Sequence, residues 1–104
     1  INKILINKNF SKNIIGFGAP AKLTTLFYTF DLFDLNIKCI IDDNDLKIGK
    51  FTPGANIPIK SYDNIKKYLP ATIIVFAWNY FDVISKRLTK DFGDQVILIN
   101  PMEN

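Results

Sequence analysis

The sequence predicts a single α/β domain built on a parallel sheet. Short apolar runs typical of buried strands alternate with segments whose apolar residues recur every three or four positions, as on one face of a helix. A Gly-x-Gly turn separates the first run from the first helical segment, and a length of 104 residues fits one domain. This alternation implies right-handed crossovers and a sheet covered on both faces.

The first part of the chain predicts a strand, a helix and a second strand. Asn13–Phe17 is a short apolar run that ends in the glycine turn, as a buried strand would. A helix starts near Pro20, because proline loses no hydrogen bond in a first helical turn. Apolar residues at helical spacing form its predicted inward face: Leu23, Leu26, Phe27, Phe30 and Phe33. The β-branched run Ile37–Ile41 is the second strand.

A long segment without periodicity follows, from Asn44 to Asn56. It exceeds an ordinary connection and is therefore a candidate functional loop. Ile57–Ile59 predicts a brief third strand at the sheet edge, because it contains Pro58. Ser61 is placed to cap a helix that runs to Leu69. Its predicted inward residues are Ile65, Tyr68 and Leu69.

The last part predicts strand, helix and strand again. Thr72–Ala77 is the most apolar segment and predicts a central strand. Tyr80–Phe92 has helical spacing and ends at Gly93, a residue suited to helix termination. Its inward face comprises Phe81, Ile84 and Leu88, and its outward face Asp82, Lys86, Arg87 and Lys90. Gln95–Ile99 is the fifth strand.

These elements predict the strand order 3-2-1-4-5, a small three-layer Rossmann-like sheet. In such sheets ligands bind at the carboxyl ends of the strands, where the order reverses, here between the first and fourth strands. Gly18 and Asn79 should therefore lie at the same sheet edge. The loop from Gly16 to Lys22 and the segment Trp78–Tyr80 should face each other across one cleft.

Composition excludes several classes of function. The chain has no histidine, which removes His-dependent triads and histidine metal sites. Its net charge of +3 comes from dispersed lysines and predicts no nucleic-acid surface. No apolar run is long enough for a membrane span. The single cysteine, Cys39, lies in an apolar run and predicts a buried thiol and a reducing, cytoplasmic location.

The segment from Gly16 to Lys22 is the main candidate for a ligand site. Gly16 and Gly18 permit a tight turn and close backbone approach to a ligand, and Ala19 and Pro20 continue the same loop. The free N–H groups and positive dipole end of the helix that follows would suit a pyrophosphate there. Lys22 would add a positive charge. The pattern is only G-x-G-x-x-A, however, and a turn that merely needs two glycines is the alternative.

Two further groups lie at predicted strand ends. Asp42 and Asp43 follow the second strand, from which a carboxylate can reach a ribose, although a solvated strand end is an equal alternative. A metal site formed with Asp45 lacks the later bidentate glutamate of a calcium loop. Asn79 offers donor and acceptor groups, and Trp78 is placed either to stack on a base or sugar or to join the core.

These motifs together resemble the C-terminal domain of S-adenosylmethionine-dependent sugar C-methyltransferases, enzymes of deoxysugar biosynthesis. The resemblance covers about 13–101 and is carried by the following segments: Gly16 to Lys22, Ile41-Asp42-Asp43-Asn44, Lys47, Gly49, Thr52-Pro53-Gly54, Ile57-Pro58-Ile59 and Ala77-Trp78-Asn79. The chain departs from the family pattern at Leu23, Asp45 and Ala55-Asn56.

The resemblance implies a division of labour. Residues 13–104 would bind the nucleoside diphosphate of a nucleotide-linked sugar, with no cofactor or catalytic residue of their own. Residues 1–12 would end an upstream helix or linker, beyond which lie a methyltransferase domain that binds S-adenosylmethionine and a zinc-binding domain. The alternatives are the sugar-nucleotide module of another sugar-modifying enzyme, such as an acyltransferase, and a non-catalytic docking domain.

Overall fold

A five-stranded, all-parallel sheet forms the centre of the molecule, in the order 3-2-1-4-5 that the sequence predicts. The computed structural model describes residues 13–20, 22–29, 32–33 and 35–102. The strands are β1 (Asn13–Phe17), β2 (Ile37–Ile41), β3 (Ile59–Lys60), β4 (Ala71–Val75) and β5 (Val96–Ile99). The predicted fold class and the bounds of the first two strands are confirmed.

Helices cover both faces of the sheet. The α-helices are α1 (Leu23–Thr29) and α2 (Phe81–Phe92), and the 3-10 helices span Tyr62–Tyr68, Trp78–Tyr80 and Gly93–Gln95. Gly93, with φ of 60°, ends α2 as predicted. Among the described ranges, no helix has the length and apolar composition of a membrane span.

Two apolar clusters fill the space between the sheet and its covering layers. One packs Leu23, Leu26 and Phe27 of α1 against alternate residues of the sheet, together with Phe76. The other packs Ile65 of the long 3-10 helix and Ile84 and Leu88 of α2 against the opposite face. Cys39 is fully buried in the second cluster, as predicted, and burial raises the pKa of its thiol.

Several predicted boundaries need correction. Helix α1 spans Leu23–Thr29, so Phe33 is not on its inward face. The Phe33 side chain is 42% exposed and contacts the Phe27 ring edge to face and the Tyr28 ring at a tilt. The helix after Ser61 is a 3-10 helix without a side-chain cap bond, and the Ser61 hydroxyl instead accepts from the Asn64 side-chain amide at 3.0 Å. Phe30, Ala21 and the predicted upstream helix at 1–12 lie outside the described residues.

The segment 44–56 contains turns and one isolated bridge but no named helix or strand, and β3 lies two residues later than its predicted start. Backbone bonds join Gly49 and Lys50 to Ile59, and Thr52 to Ile57, so the segment doubles back against the sheet edge. The buried Thr52 hydroxyl accepts the Ile57 N–H at 3.0 Å. Ile57 therefore pairs with Thr52, and the third strand is Ile59–Lys60 rather than the predicted Ile57–Ile59.

Gly16 lies within β1, where packing rather than a turn requires glycine. A Cβ atom at this position would lie 2.5 Å from Cδ1 of Ile40 and 2.7 Å from the ring of Phe76. Both of those side chains are fully buried. Neither can move aside without disturbing the first apolar cluster.

We predict that Gly16→Ala lowers the free energy of unfolding by about 1–3 kcal/mol through overpacking. Ile40→Val deletes the nearest clashing atom. The double variant should therefore lose less stability than the sum of the two single variants. Urea denaturation of the four proteins measures this coupling, and strict additivity would contradict the packing account.

Candidate functional site

A crevice of about 330 Å³ opens at the carboxyl edge of the sheet, where the strand order reverses. Phe17 pairs with Val75 in the ladder, so the chain leaves β1 and β4 at the same edge, as predicted. The residues lining the crevice come from the ends of three strands, from the 3-10 helix Trp78–Tyr80 and from α2: Phe17, Gly18, Asp42, Asp43, Ala77, Tyr80, Val83, Ile84 and Arg87.

Gly18 makes the turn out of β1. Its φ is +92°, and its N–H donates to the carbonyl of Ile41 at 2.7 Å. A Cβ atom here would lie 2.8 Å from the Cβ of Ala77. Glycine is thus required both by the backbone conformation and by the close approach of β1 to the end of β4.

Both the N–H and the carbonyl of Ala19 form hydrogen bonds with side chains. Its N–H donates to Asp42 Oδ2 at 2.8 Å, and its carbonyl accepts from Lys47 Nζ at 2.7 Å. The other carboxylate oxygen of Asp42 accepts the Asn44 N–H at 2.8 Å. Asp42 therefore joins the glycine turn to the segment that follows β2.

Among the described residues of this turn, Gly18, Ala19 and Pro20 offer no free backbone N–H donor. The N–H groups of Gly18 and Ala19 are bonded within the chain, Pro20 has none, and Leu23 donates to the Pro20 carbonyl. Lys22 is exposed and is not among the residues lining the crevice. Ligand contact by Gly16, Gly18, Ala19, Pro20 and Lys22 stays a prediction, and the packing of both glycines supports the alternative of a structural turn.

Arg87 is the cationic residue among those that line the crevice. Helical periodicity predicted it on the outward, solvent-facing side of α2. Its guanidinium makes two bonds to the Asp43 carboxylate, at 2.8 and 3.2 Å, and the two side chains are 41% and 57% exposed. The guanidinium also lies over the Tyr62 ring, 3.8 Å from its centroid. Arg87 lies one turn after Val83 and Ile84, at the border of the apolar face of α2. This border position is the sequence signal that could have identified Arg87 as a crevice residue.

Tyr62 supports this guanidinium from the long 3-10 helix. Its hydroxyl donates to Asp91 Oδ2 at 2.7 Å. Burial, together with the bond to Asp91 and its negative charge, raises the pKa of Tyr62 to about 12. The phenol is neutral at physiological pH and remains a donor to Asp91.

Trp78 and Asn79 lie at the predicted edge but open onto a neighbouring cavity of about 390 Å³. Tyr80 lines both this cavity and the crevice, so the predicted single cleft is divided. Trp78 is partly buried against the first apolar cluster, as in the core interpretation, and Asn79 is exposed.

A third cavity, of about 320 Å³, lies on the other side of the glycine turn. Segment 44–56 forms one wall of it, and the Thr24 hydroxyl bonds the Pro53 carbonyl at 2.9 Å to hold that wall against α1. Its lining is mainly apolar, with Lys47 and Lys50 as the charged residues among the described part of the chain.

The sheet order and the crevice define a small Rossmann-like α/β domain. The chain belongs to the family described as the C-methyltransferase C-terminal domain, whose model matches residues 2–102. It is 36% identical over 69 residues to the C-methyltransferase NovU of Streptomyces niveus, which covers 66% of this chain and 16% of that protein. The chain thus spans about a sixth of the length of this curated relative, and the resemblance found in the sequence is confirmed.

We predict that Asp91→Asn lowers the pKa of Tyr62 from about 12 toward its ordinary value of 10.0. The pKa of Tyr62 is higher in the folded protein than in the unfolded chain. The hydrogen bond from Tyr62 to Asp91 therefore stabilises the fold below pH 10, and this contribution is lost as the pH rises toward 12. Ultraviolet titration, with Tyr62→Phe as the difference standard, measures the shift. Asp94→Asn is the matched control, and an equal shift in both variants would contradict the assignment.

Proposed function

We propose that this domain binds the nucleoside diphosphate part of a nucleotide-linked sugar, while another domain of the same protein methylates a sugar carbon. The observation that carries the proposal is the crevice at the strand-order reversal, which holds Asp42, Asp43 and Arg87 among apolar residues, in a chain of the C-methyltransferase C-terminal family. Open α/β sheets bind their ligands at this position. The pathway that fits this substrate is deoxysugar biosynthesis.

The chemistry of the crevice supports binding rather than catalysis. Asp42, Asp43 and Arg87 are its ionic residues, and all three side chains are engaged in hydrogen bonds within the domain. The chain contains no histidine that could remove a proton near neutral pH. We therefore assign proton removal, S-adenosylmethionine and zinc to other domains of a cytoplasmic parent enzyme.

A docking role is the second candidate function. Tyr80 and Val83 stand one turn apart beside the crevice and are 66% and 69% exposed. Exposed apolar side chains that border a cleft are typical of surfaces that meet another protein domain. In this alternative the crevice would bind no nucleotide.

We predict that the protein in its full natural length binds at least one of the diphosphates of uridine, thymidine, guanosine and cytidine. Isothermal calorimetry with each diphosphate and its parent nucleoside is the measurement. The diphosphate should bind about tenfold or more tightly than the nucleoside, because charge-assisted hydrogen bonds to phosphate add to binding. No heat with any of the four would favour the docking role.

We also predict that residues 1–104 alone transfer no methyl group from labelled S-adenosylmethionine to a nucleotide-linked ketosugar. The full-length protein, assayed beside it, is the control. Methyl transfer by the shorter chain would refute the proposed division of labour, because it would place the reacting groups within this domain.

A further inference from the structure

We propose that Arg87 is the phosphate-binding residue of the crevice, and that the Asp43 carboxylate occupies its guanidinium until a diphosphate replaces it. This inference rests on the proposed function and identifies the side chain that would recognise the ligand. The sequence predicts that the glycine turn contacts the phosphates. Here the phosphate contact is instead on α2, which forms the opposite wall of the crevice.

The first argument concerns donors. A diphosphate needs hydrogen-bond donors, and the N–H groups of Gly18 and Ala19 already serve Ile41 and Asp42. Lys47 Nζ is likewise bound to the Ala19 carbonyl. Within the described residues that line the crevice, the guanidinium of Arg87 is the cationic donor.

The second argument concerns orientation. The Arg87 guanidinium lies over the Tyr62 ring, and its Nη1 and Nη2 atoms both donate to the Asp43 carboxylate. The bond from Tyr62 to Asp91 fixes the ring independently of Asp43. If the carboxylate leaves, the guanidinium therefore stays oriented, with a two-donor edge that matches a phosphate as well as a carboxylate.

The third argument concerns exchange. The Arg87–Asp43 pair is partly open to solvent, and pairs of this kind contribute little to stability. A diphosphate carries more negative charge than the carboxylate and can replace it on the same edge. The released Asp43 side chain is already more than half exposed and can turn to water.

The experiment compares single variants of the full-length protein, with calorimetry of inorganic pyrophosphate and of the best-binding nucleoside diphosphate. Arg87→Ala should weaken both ligands about tenfold or more, and Arg87→Lys should recover part of that loss because it keeps the charge without the paired donors. Affinity for the parent nucleoside should not change in either variant. Lys90→Ala, on the next turn of α2, is the matched control for lost charge.

Asp43→Asn provides the second, independent readout. Removing the competing carboxylate should tighten pyrophosphate binding about two- to fivefold, as expected from the modest strength of exposed ion pairs. A merely structural Arg87–Asp43 pair would give weaker binding in this variant. Circular dichroism of each variant checks that the fold is retained.

The outcomes separate the two proposals. Unchanged diphosphate affinity in Arg87→Ala, or a larger loss in Lys22→Ala than in Arg87→Ala, would overturn the role of Arg87 while leaving the proposed function intact. Absence of diphosphate binding by the unmodified protein would overturn both.

Discussion

The carboxylate of Asp42 is the contact on which the geometry of the candidate site depends. One oxygen accepts the N–H of Ala19 in the turn after β1, and the other accepts the N–H of Asn44 at the start of segment 44–56. The bond to Ala19 is partly buried and the bond to Asn44 is exposed, so the first is the better shielded from competition by water. A single side chain at the end of β2 thus fixes the position of two loops.

This arrangement divides the carboxyl edge of the sheet. The fixed turn at Gly18 and Ala19 stands between the crevice on the α2 side and the apolar cavity beneath segment 44–56. Lys47 strengthens the division, because its ammonium binds the Ala19 carbonyl from the side of that cavity. The turn therefore separates the two cavities, and its Gly18 and Ala19 N–H groups are bonded to Ile41 and Asp42 in holding that position.

Much of the fold could be predicted from the sequence, because it follows from local patterns. The apolar runs at β1 and β2 end at Phe17 and Ile41, and the crossover rule then fixes the strand order. Burial of Cys39 follows from the same apolar pattern. The turn around Thr52 could not be read this way, since it depends on a bond between the Thr52 hydroxyl and the Ile57 N–H that apolar periodicity does not register.

The candidate site was predicted less completely for a related reason. Sequence periodicity separates an inward from an outward helix face, but Arg87 lies at the border between them and meets partners from two other elements. Those partners, Asp43 and Tyr62, are 44 and 25 positions away in the chain, a separation that no local pattern reveals. For Asp42 the sequence left ribose contact and a solvated strand end as equal alternatives, and neither included its bonds to the Ala19 and Asn44 N–H groups.

The open edge of the crevice bears on how such a domain could serve a methyltransferase. Exposed apolar side chains stand on both sides of the glycine turn, Leu46 and Phe51 beside one cavity and Tyr80 and Val83 beside the other. A ligand held at Arg87 would project its remaining atoms toward this edge, since the strands close the opposite end. The proposed division of labour requires that geometry, because a sugar carbon can meet a methyl donor on another domain only if it lies outside the sheet that holds its diphosphate.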